Sequence, residues 1–507
     1  MKNKFKDSID NANVYDAASR TPLEKQINLS KRFKNNILLK REDLQPVFSF
    51  KIRGAYNKMK NLSDENLKNG VIACSAGNHA RGVALAAKIL ECKATIVMPK
   101  TTPTIKINAV ESHGAKVVLH GETLHECFDR ALVIQKKEGS IFVHPFDDEE
   151  VITGQGTIAK EILEDYSRPI DAIFCCVGGG GLISGIAAYI KAVKPEIKII
   201  GVEAQGADAM TQSLKANKRV VLDSVSLFAE GAALKQVGEL SFKICQQYVD
   251  EMIVVDNDEI CAAIKDVFED TRSILEPAGA LAVAGVKSYI KKNNVDSKTF
   301  VATASGANMN FDRLGFVSER AEIGEERESI FAVTIPEKPG AFKDFCSLIG
   351  KRNITEFNYR YSSDSSANIF VGIGVQNFDE SESLMAKLKK ASLEPIDLTH
   401  NEVAKLHLRH LVGGHAPEAK NELIYRFEFP EKPGALLNFL EHMGHWNISL
   451  FHYRNHGSDI GRVLVGMQVD KESKEEFLEF LEKLGYTYIN ETNNEAYKIL
   501  LGKNHFK

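Results

Sequence analysis

Between about residues 37 and 320, short runs of β-branched and aliphatic residues alternate with longer runs whose apolar positions recur at helical spacing. The short runs are Ile37 to Leu39, Val71 to Cys74, Ala94 to Met98, Lys116 to Leu119, Ile170 to Val177, Ile199 to Val202 and Phe300 to Thr303. Among the longer ones, Ile52, Ala55, Tyr56, Met59 and Leu62 share a helical face, with Ser49 placed as an N-cap. Such alternation implies an α/β unit over residues 1–320, with a mainly parallel sheet covered on both faces.

Past Arg320 the pattern changes and a repeat begins. Pro336-Glu337-Lys338-Pro339-Gly340-Ala341 returns as Pro430-Glu431-Lys432-Pro433-Gly434-Ala435, so that Gly340 recurs as Gly434. The same displacement relates Asn353-Ile354 to Asn447-Ile448, Phe357 to Phe451, Tyr359-Arg360 to Tyr453-Arg454 and Val371-Gly372 to Val465-Gly466. Each copy reads as strand (Phe331 to Ile335; Leu423 to Phe429), Pro-Gly turn, helix, two strands and helix, a small α+β module. The copies are expected at residues 329–400 and 422–495. The stretch 401–421 between them is expected as a solvated connector: His400, His407, His410 and His415 lack the carboxylate or cysteine pattern of a metal site.

The 507 residues carry 64 basic and 68 acidic side chains, so no global field recruits nucleic acid or an anionic membrane, and small-molecule partners are expected. Met1 to Asp7 shows neither the apolar run nor the small-residue cleavage site of an export signal, so no export is expected. The uncharged stretch Ile173 to Ile190 is broken by Gly178 to Gly181, which suits strand, turn and helix better than a membrane span. Eight scattered cysteines without a C-x-x-C pair fit reduced thiols in a cytoplasmic protein.

Four segments carry candidate chemistry. In Ser49-Phe50-Lys51-Ile52-Arg53-Gly54, Lys51 stands at a helix start, where the macrodipole and apolar neighbours disfavour its ammonium form and leave an amine able to attack an aldehyde. Read alone, it is more simply an ordinary surface lysine. Ser75-Ala76-Gly77-Asn78 forms a small-residue turn at the carboxyl end of a parallel strand, where α/β sheets place ligands, or else a tight turn with an Asn cap. Gly178-Gly179-Gly180-Gly181-Leu182 follows an apolar strand and opens a helix. Its amides can converge on a phosphate, unless it is a generic glycine turn. Ser305, in Thr303-Ala304-Ser305-Gly306-Ala307-Asn308, offers a neutral hydroxyl to a pyridine nitrogen, or caps a helix.

In this order and at these separations, the four segments closely resemble the threonine ammonia-lyases (threonine dehydratases) of the tryptophan synthase β-like group. The resemblance implies a fold-type II pyridoxal phosphate enzyme: two parallel-sheet subdomains, the smaller inserted at about 47–150, followed by two ACT-like modules. It implies that Lys51 forms the Schiff base, that Phe50 lies beside the pyridine ring and that Asn78 bonds the ring hydroxyl. Gly178, Gly179, Gly180, Gly181 and Leu182 then cradle the phosphate, Ser305 faces the ring nitrogen, and Ser75 and Gly77 contact the carboxylate of L-threonine. Serine dehydratase or racemase, threonine synthase and a non-catalytic amino-acid sensor are the alternatives on this scaffold. The cation site of the serine racemases matches at Glu203, but Ala209 stands where the second carboxylate would be, with Asp208 one position early, so no metal is expected. Glu276-Pro277-Ala278-Gly279 also belongs to the family pattern, though a helix start explains it more simply.

The paired modules resemble the ACT-like tail of the biosynthetic branch, which implies inhibition by isoleucine, opposed by valine, and a homotetramer. Gly340 and Gly434 are the candidate effector positions, with Asn353, Phe357, Asn447 and Phe451 as further ones. The alternative is that the two modules simply bury each other's apolar faces and build an oligomer interface.

Overall fold

The computed structural model describes residues 2–338, 340–361, 366–406, 408, 416, 419–430, 435–443, 446–454, 460–494, 497 and 501. Gly434, His407, His410 and His415 lie outside the described residues. The chain forms two compact units, Met1–Gly324 and Glu325–Lys507.

The first unit contains strands β1 (Leu23–Lys25), β2 (Asn36–Lys40), β3 (Val71–Cys74), β4 (Ala94–Met98), β5 (Lys116–Leu119), β6 (Ile141–Phe142), β7 (Ala172–Cys176), β8 (Lys198–Ala204), β9 (Glu251–Val255) and β10 (Thr299–Thr303). They build two sheets, ordered β1-β2-β10-β7-β8-β9 and β5-β4-β3-β6. Every pairing is parallel except that of the edge strand β1 with β2. The strand β7 is buried at all of its positions, as a strand covered on both faces must be. Each sheet has its own apolar core. The smaller sheet is inserted between β2 and β7, which brings the carboxyl ends of β3 and β7 to one cleft.

Ser49 is not the cap of the helix Lys51–Lys60. The N-cap is Phe50, without a side-chain bond, and the buried Ser49 hydroxyl has no hydrogen-bond partner among the described residues. The apolar face is as expected: Ile52, Ala55, Tyr56 and Met59 are all buried. Beside that face lies a charged network. Arg53 bonds Glu42 at 2.7 Å and Glu161 at 2.6 Å, and Lys40 bonds Glu161 at 2.6 Å, all four side chains being 0% exposed. Such charges are tolerated only when fully paired. This network ties the Lys51–Lys60 helix to β2 and to the helix Glu149–Asp165.

The second unit is one antiparallel sheet. Its strands are β11 (Glu328–Pro336), β12 (Ile354–Arg360), β13 (Ser366–Gly374), β14 (Ile396–Asp397), β15 (Glu422–Pro430), β16 (Asn447–Arg454), β17 (Ile460–Gln468) and β18 (Thr487–Asn490), ordered β14-β11-β13-β12-β16-β17-β15-β18. The repeats meet where β12 pairs with β16, Phe357 opposite Tyr453 and Tyr359 opposite Phe451. Even the irregularity repeats, between Ile354 and Glu356 in one copy and between Ile448 and Leu450 in the other. The helices Ala341–Ile349, Phe378–Lys390, Ala435–His442 and Lys474–Leu484 share one apolar core with the sheet. The stretch expected as a solvated connector contains the helix Glu402–Leu406, and Ala404, Ala416 and Ala419 are buried. No helix among the described residues is long and apolar enough to cross a membrane.

Candidate active site

At the carboxyl ends of β3, β7 and β10 lies a cleft of about 430 Å³, lined by Phe50, Lys51, Asn78, Gly178 to Leu182 and Ser305. The cofactor candidates of three of the four segments thus meet, although Lys51 and Ser305 are far apart in the chain. The fourth does so only through Asn78. Ser75 and Gly77 stand on the same turn, where the Gly77 amide donates to Ser75 Oγ at 3.2 Å, but they are not part of the cleft lining. Gly77 has room: a Cβ added there would meet nothing within 4 Å. Asn78 is itself the first residue of the helix Asn78–Ile89, whose N-cap is Gly77, so the asparagine is not the cap.

Lys51 opens its helix and donates from Nζ to the Pro145 carbonyl at 2.7 Å. The ammonium lies 5.2 Å from the centroid of the Phe50 ring. Burial lowers its pKa to about 8, and nearby Glu276 offsets only part of that. Opposite it, β7 runs into the glycine turn and the helix Gly181–Val193. Among the described residues none of the amides from Gly178 to Leu182 has a backbone acceptor, so a fan of donors stands at a helix N-terminus. Side chains would destroy this cradle. A Cβ on Gly178 would lie 2.8 Å from Ala232 Cα, one on Gly179 2.2 Å from the Phe146 ring, and one on Gly181 2.7 Å from the Phe146 carbonyl. Gly180 adopts φ 94°, open to glycine and costly for other residues.

Ser305 accepts from Cys176 Sγ at 3.2 Å and donates to the Ala278 carbonyl at 3.3 Å. Burial pushes the Cys176 thiol up to about 11, so it is a neutral donor. The Cys176 side chain bonded to Ser305 is therefore uncharged. These parts fit pyridoxal phosphate: an amine of lowered pKa for the aldehyde, free amides for the phosphate, and a hydroxyl for the ring nitrogen.

The cleft holds one group that pattern reading explained away. Glu276 precedes the helix Pro277–Asn293, yet its side chain caps nothing and instead lines the cleft, with Oε1 accepting from Asn78 Nδ2 at 2.5 Å. Burial raises its pKa. The family pattern includes this Glu-Pro pair, but it is so ordinary a helix start signal that its bond to Asn78 shows only in the fold.

Residues 14–306 match the family model described as pyridoxal-phosphate dependent enzyme, and residues 319–408 and 413–501 match the C-terminal regulatory domain of threonine dehydratase. The biosynthetic L-threonine dehydratase of Burkholderia multivorans is 55% identical over 494 residues, covering 97% of each chain. That of Escherichia coli is 48% identical over 492 residues, covering 97% of this chain and 95% of that one. The chain belongs to the biosynthetic threonine dehydratases. Among solved structures, the processed threonine deaminase isoform 2 of Solanum lycopersicum has a TM-score of 0.63 at 50% identity, over 64% of this chain and 88% of that one. Maize serine racemase has a TM-score of 0.59 at 33% identity, over 62% of this chain and 96% of that one.

Against the serine racemase pattern, Glu203 has other partners. Its carboxylate accepts from the Met210 and Thr211 amides at 2.8 Å each and from Thr211 Oγ1 at 2.7 Å. No group of three His, Cys, Asp or Glu residues suited to a metal occurs among the described residues.

In the dehydratase tail, the further effector positions divide. Phe357 and Phe451 are 0% and 1% exposed, their ring centroids 5.5 Å apart, so the aromatic alternation of these strands builds the core shared by the modules. Gly340 is different: it caps the helix Ala341–Ile349 with φ 93° and is exposed. Asn353 accepts the Gly374 amide on its carbonyl at 2.8 Å, and Asn447 Nδ2 donates to Glu337 Oε1 at 3.0 Å. Glu337 also accepts from Tyr359 Oη, so the first loop of one copy is bonded to both copies.

Proposed function

We propose that this chain converts L-threonine to 2-oxobutanoate and ammonia in the cytosol, as a homotetramer, with isoleucine inhibiting and valine opposing it through the tail. The observation that carries the catalytic reading is the placing of a pKa-lowered lysine amine and a glycine amide cradle in one cleft, in a chain alike to threonine dehydratases over nearly its whole length.

Bound pyridoxal phosphate supplies the electron sink that takes up the bonding pair of the substrate Cα–H bond. The Gly178 to Leu182 amides would hold its phosphate, and Lys51, displaced by the amine of threonine, would be the group that holds its aldehyde carbon in the resting enzyme. The freed Lys51 amine, neutral above about pH 8, then accepts the Cα proton. Asn78 bonds the ring oxygen, and the turn with Ser75 and Gly77 orients the substrate carboxylate. Ser305, bonded to the neutral Cys176 thiol and the Ala278 carbonyl, leaves the ring nitrogen without a counter-charge, which favours prompt loss of the β-hydroxyl over return of the proton. Water leaves in the elimination and is taken back when the released enamine hydrolyses to ketoacid and ammonia.

The test is ketoacid formation from threonine with and without isoleucine. Ketoacid with a saturation curve displaced by isoleucine is expected. An inverted amino acid in place of ketoacid would overturn the lyase reading, and a curve indifferent to isoleucine would overturn the regulatory one.

A further inference from the structure

Asn308 closes the Ser305-Gly306-Ala307-Asn308 segment but is not part of the cofactor cleft lining. Its amide is committed on every side. Nδ2 donates to the Val47 carbonyl at 2.8 Å and to Asn78 Oδ1 at 2.6 Å, while Oδ1 accepts from the Arg81 guanidinium. A carbonyl only accepts and a guanidinium only donates, so Val47 and Arg81 together decide which end of this amide is which. With the Asn308 donor facing it, Asn78 has to present its own Oδ1 to that side. The donor end of Asn78 is then turned to the cleft, where one hydrogen goes to Glu276 at 2.5 Å. Its second hydrogen meets no other protein acceptor among the described residues.

We infer that Asn308 is a positioning residue, which relays the fixed polarity of Val47 and Arg81 to Asn78 and holds the Asn78 NH₂ group toward the acceptor oxygen of the cofactor ring. The inference rests on the reading of Asn78 as the partner of that oxygen. It assigns a role to a residue 230 positions from Asn78 in the chain. A phenolate oxygen can only accept, so an Asn78 amide turned the other way would set carbonyl oxygen against phenolate.

The test is a double-mutant cycle read by cofactor binding. Asn308→Asp keeps the shape of the side chain and its attraction for Arg81 but removes both donors. Asn78 then has to turn its NH₂ to the new carboxylate and its carbonyl to the cleft. Titration of the apoprotein with pyridoxal phosphate, followed by visible absorbance, is expected to show Kd raised by about tenfold or more and a displaced band, because a hydrogen bond to a charged oxygen is lost. Asn308→Ala, which removes the relay without reversing it, is expected to give a smaller rise. Should Asn308→Asp fail to fold, Asn308→Ala carries the same cycle. In an Asn78→Ala background neither change at 308 is expected to add anything, since no amide remains to be turned. If Asn78→Ala alone leaves Kd and band at the parental values, the reading of Asn78 is wrong and the relay falls with it. If Asn78→Ala weakens binding while the Asn308 variants do not, or if the effects simply add, the relay alone is wrong.

Discussion

The glycine cradle can be tested by a single methyl group. A Cβ at Gly179 would sit 2.2 Å from Phe146 Cγ and 2.3 and 2.4 Å from its two Cδ atoms. Carbon atoms pack at about 3.5 Å or more, so ring and turn have to part by about 1.3 Å. The φ of Gly179 is not in the left-handed region, so the cost of Gly179→Ala is steric alone. Overpacking of this kind destabilises by about 1–3 kcal/mol. Relief in either direction disturbs the site. Phe146 follows Pro145, whose carbonyl holds Lys51, and the turn carries the amides meant for the phosphate. The variant is expected to fold, to melt a few degrees lower as apoprotein, and to bind pyridoxal phosphate about tenfold to a hundredfold more weakly, at 1.4 kcal/mol per decade. Thermal melts of the apoprotein and cofactor titration by visible absorbance measure the two effects separately. A variant with a lowered Tm but the parental Kd would refute the placing of the phosphate at this turn. Parental values for both would refute the packing argument itself.

Because burial lowers Lys51 to about 8, the rate at which apoprotein takes up pyridoxal phosphate is expected to rise with pH through that value and then level off. A rate flat across that range would contradict the nucleophile, as would a visible band of the bound cofactor that survives Lys51→Ala. Glu161→Gln strands the buried Lys40 and Arg53 without their shared counter-charge, and urea unfolding of the α/β unit is expected to show a loss of about 3–5 kcal/mol. Burial by itself would raise the Glu161 pKa, but Arg53 and Lys40 outweigh it and hold it below the usual value. The stabilisation is therefore present above the ordinary carboxylate range and fades as pH falls through the depressed value, where variant and parent should converge. Phe357→Ala is expected to cost the tail unit about 3–5 kcal/mol, read by its thermal transition, with the isoleucine response retained below that transition. A changed isoleucine affinity at unchanged stability would make Phe357 an effector contact.

How much of this was legible depended on how local each signal is. The strands β3, β4, β5, β7, β8 and β10 and the glycine turn stand out because their apolar runs and small residues are contiguous in the chain. The strand β6 spans two residues, β1 three, and β9 begins with a glutamate, too little for a periodicity to register. Glu276 and Asn78 are 198 residues apart, so their bond exists only in the fold, while Glu-Pro by itself spells an ordinary helix start. Ser49 failed as a cap for a related reason: hydroxyl identity was visible, but its placing one residue too early was not. In the tail, aromatic alternation looks the same whether the rings await a ligand or each other. Burial of Phe357 against Phe342 and Phe451 shows the latter arrangement.

The pairing of β12 with β16 also bears on how the tail arose and what it can lose. A single copy on its own would present β12 as a bare edge of seven residues, a ready template for sticking to other chains. Duplication closes that edge internally and leaves only the two-residue β14 and the four-residue β18 at the rims. A chain truncated after the first copy is expected to dimerise through its exposed strand or to aggregate.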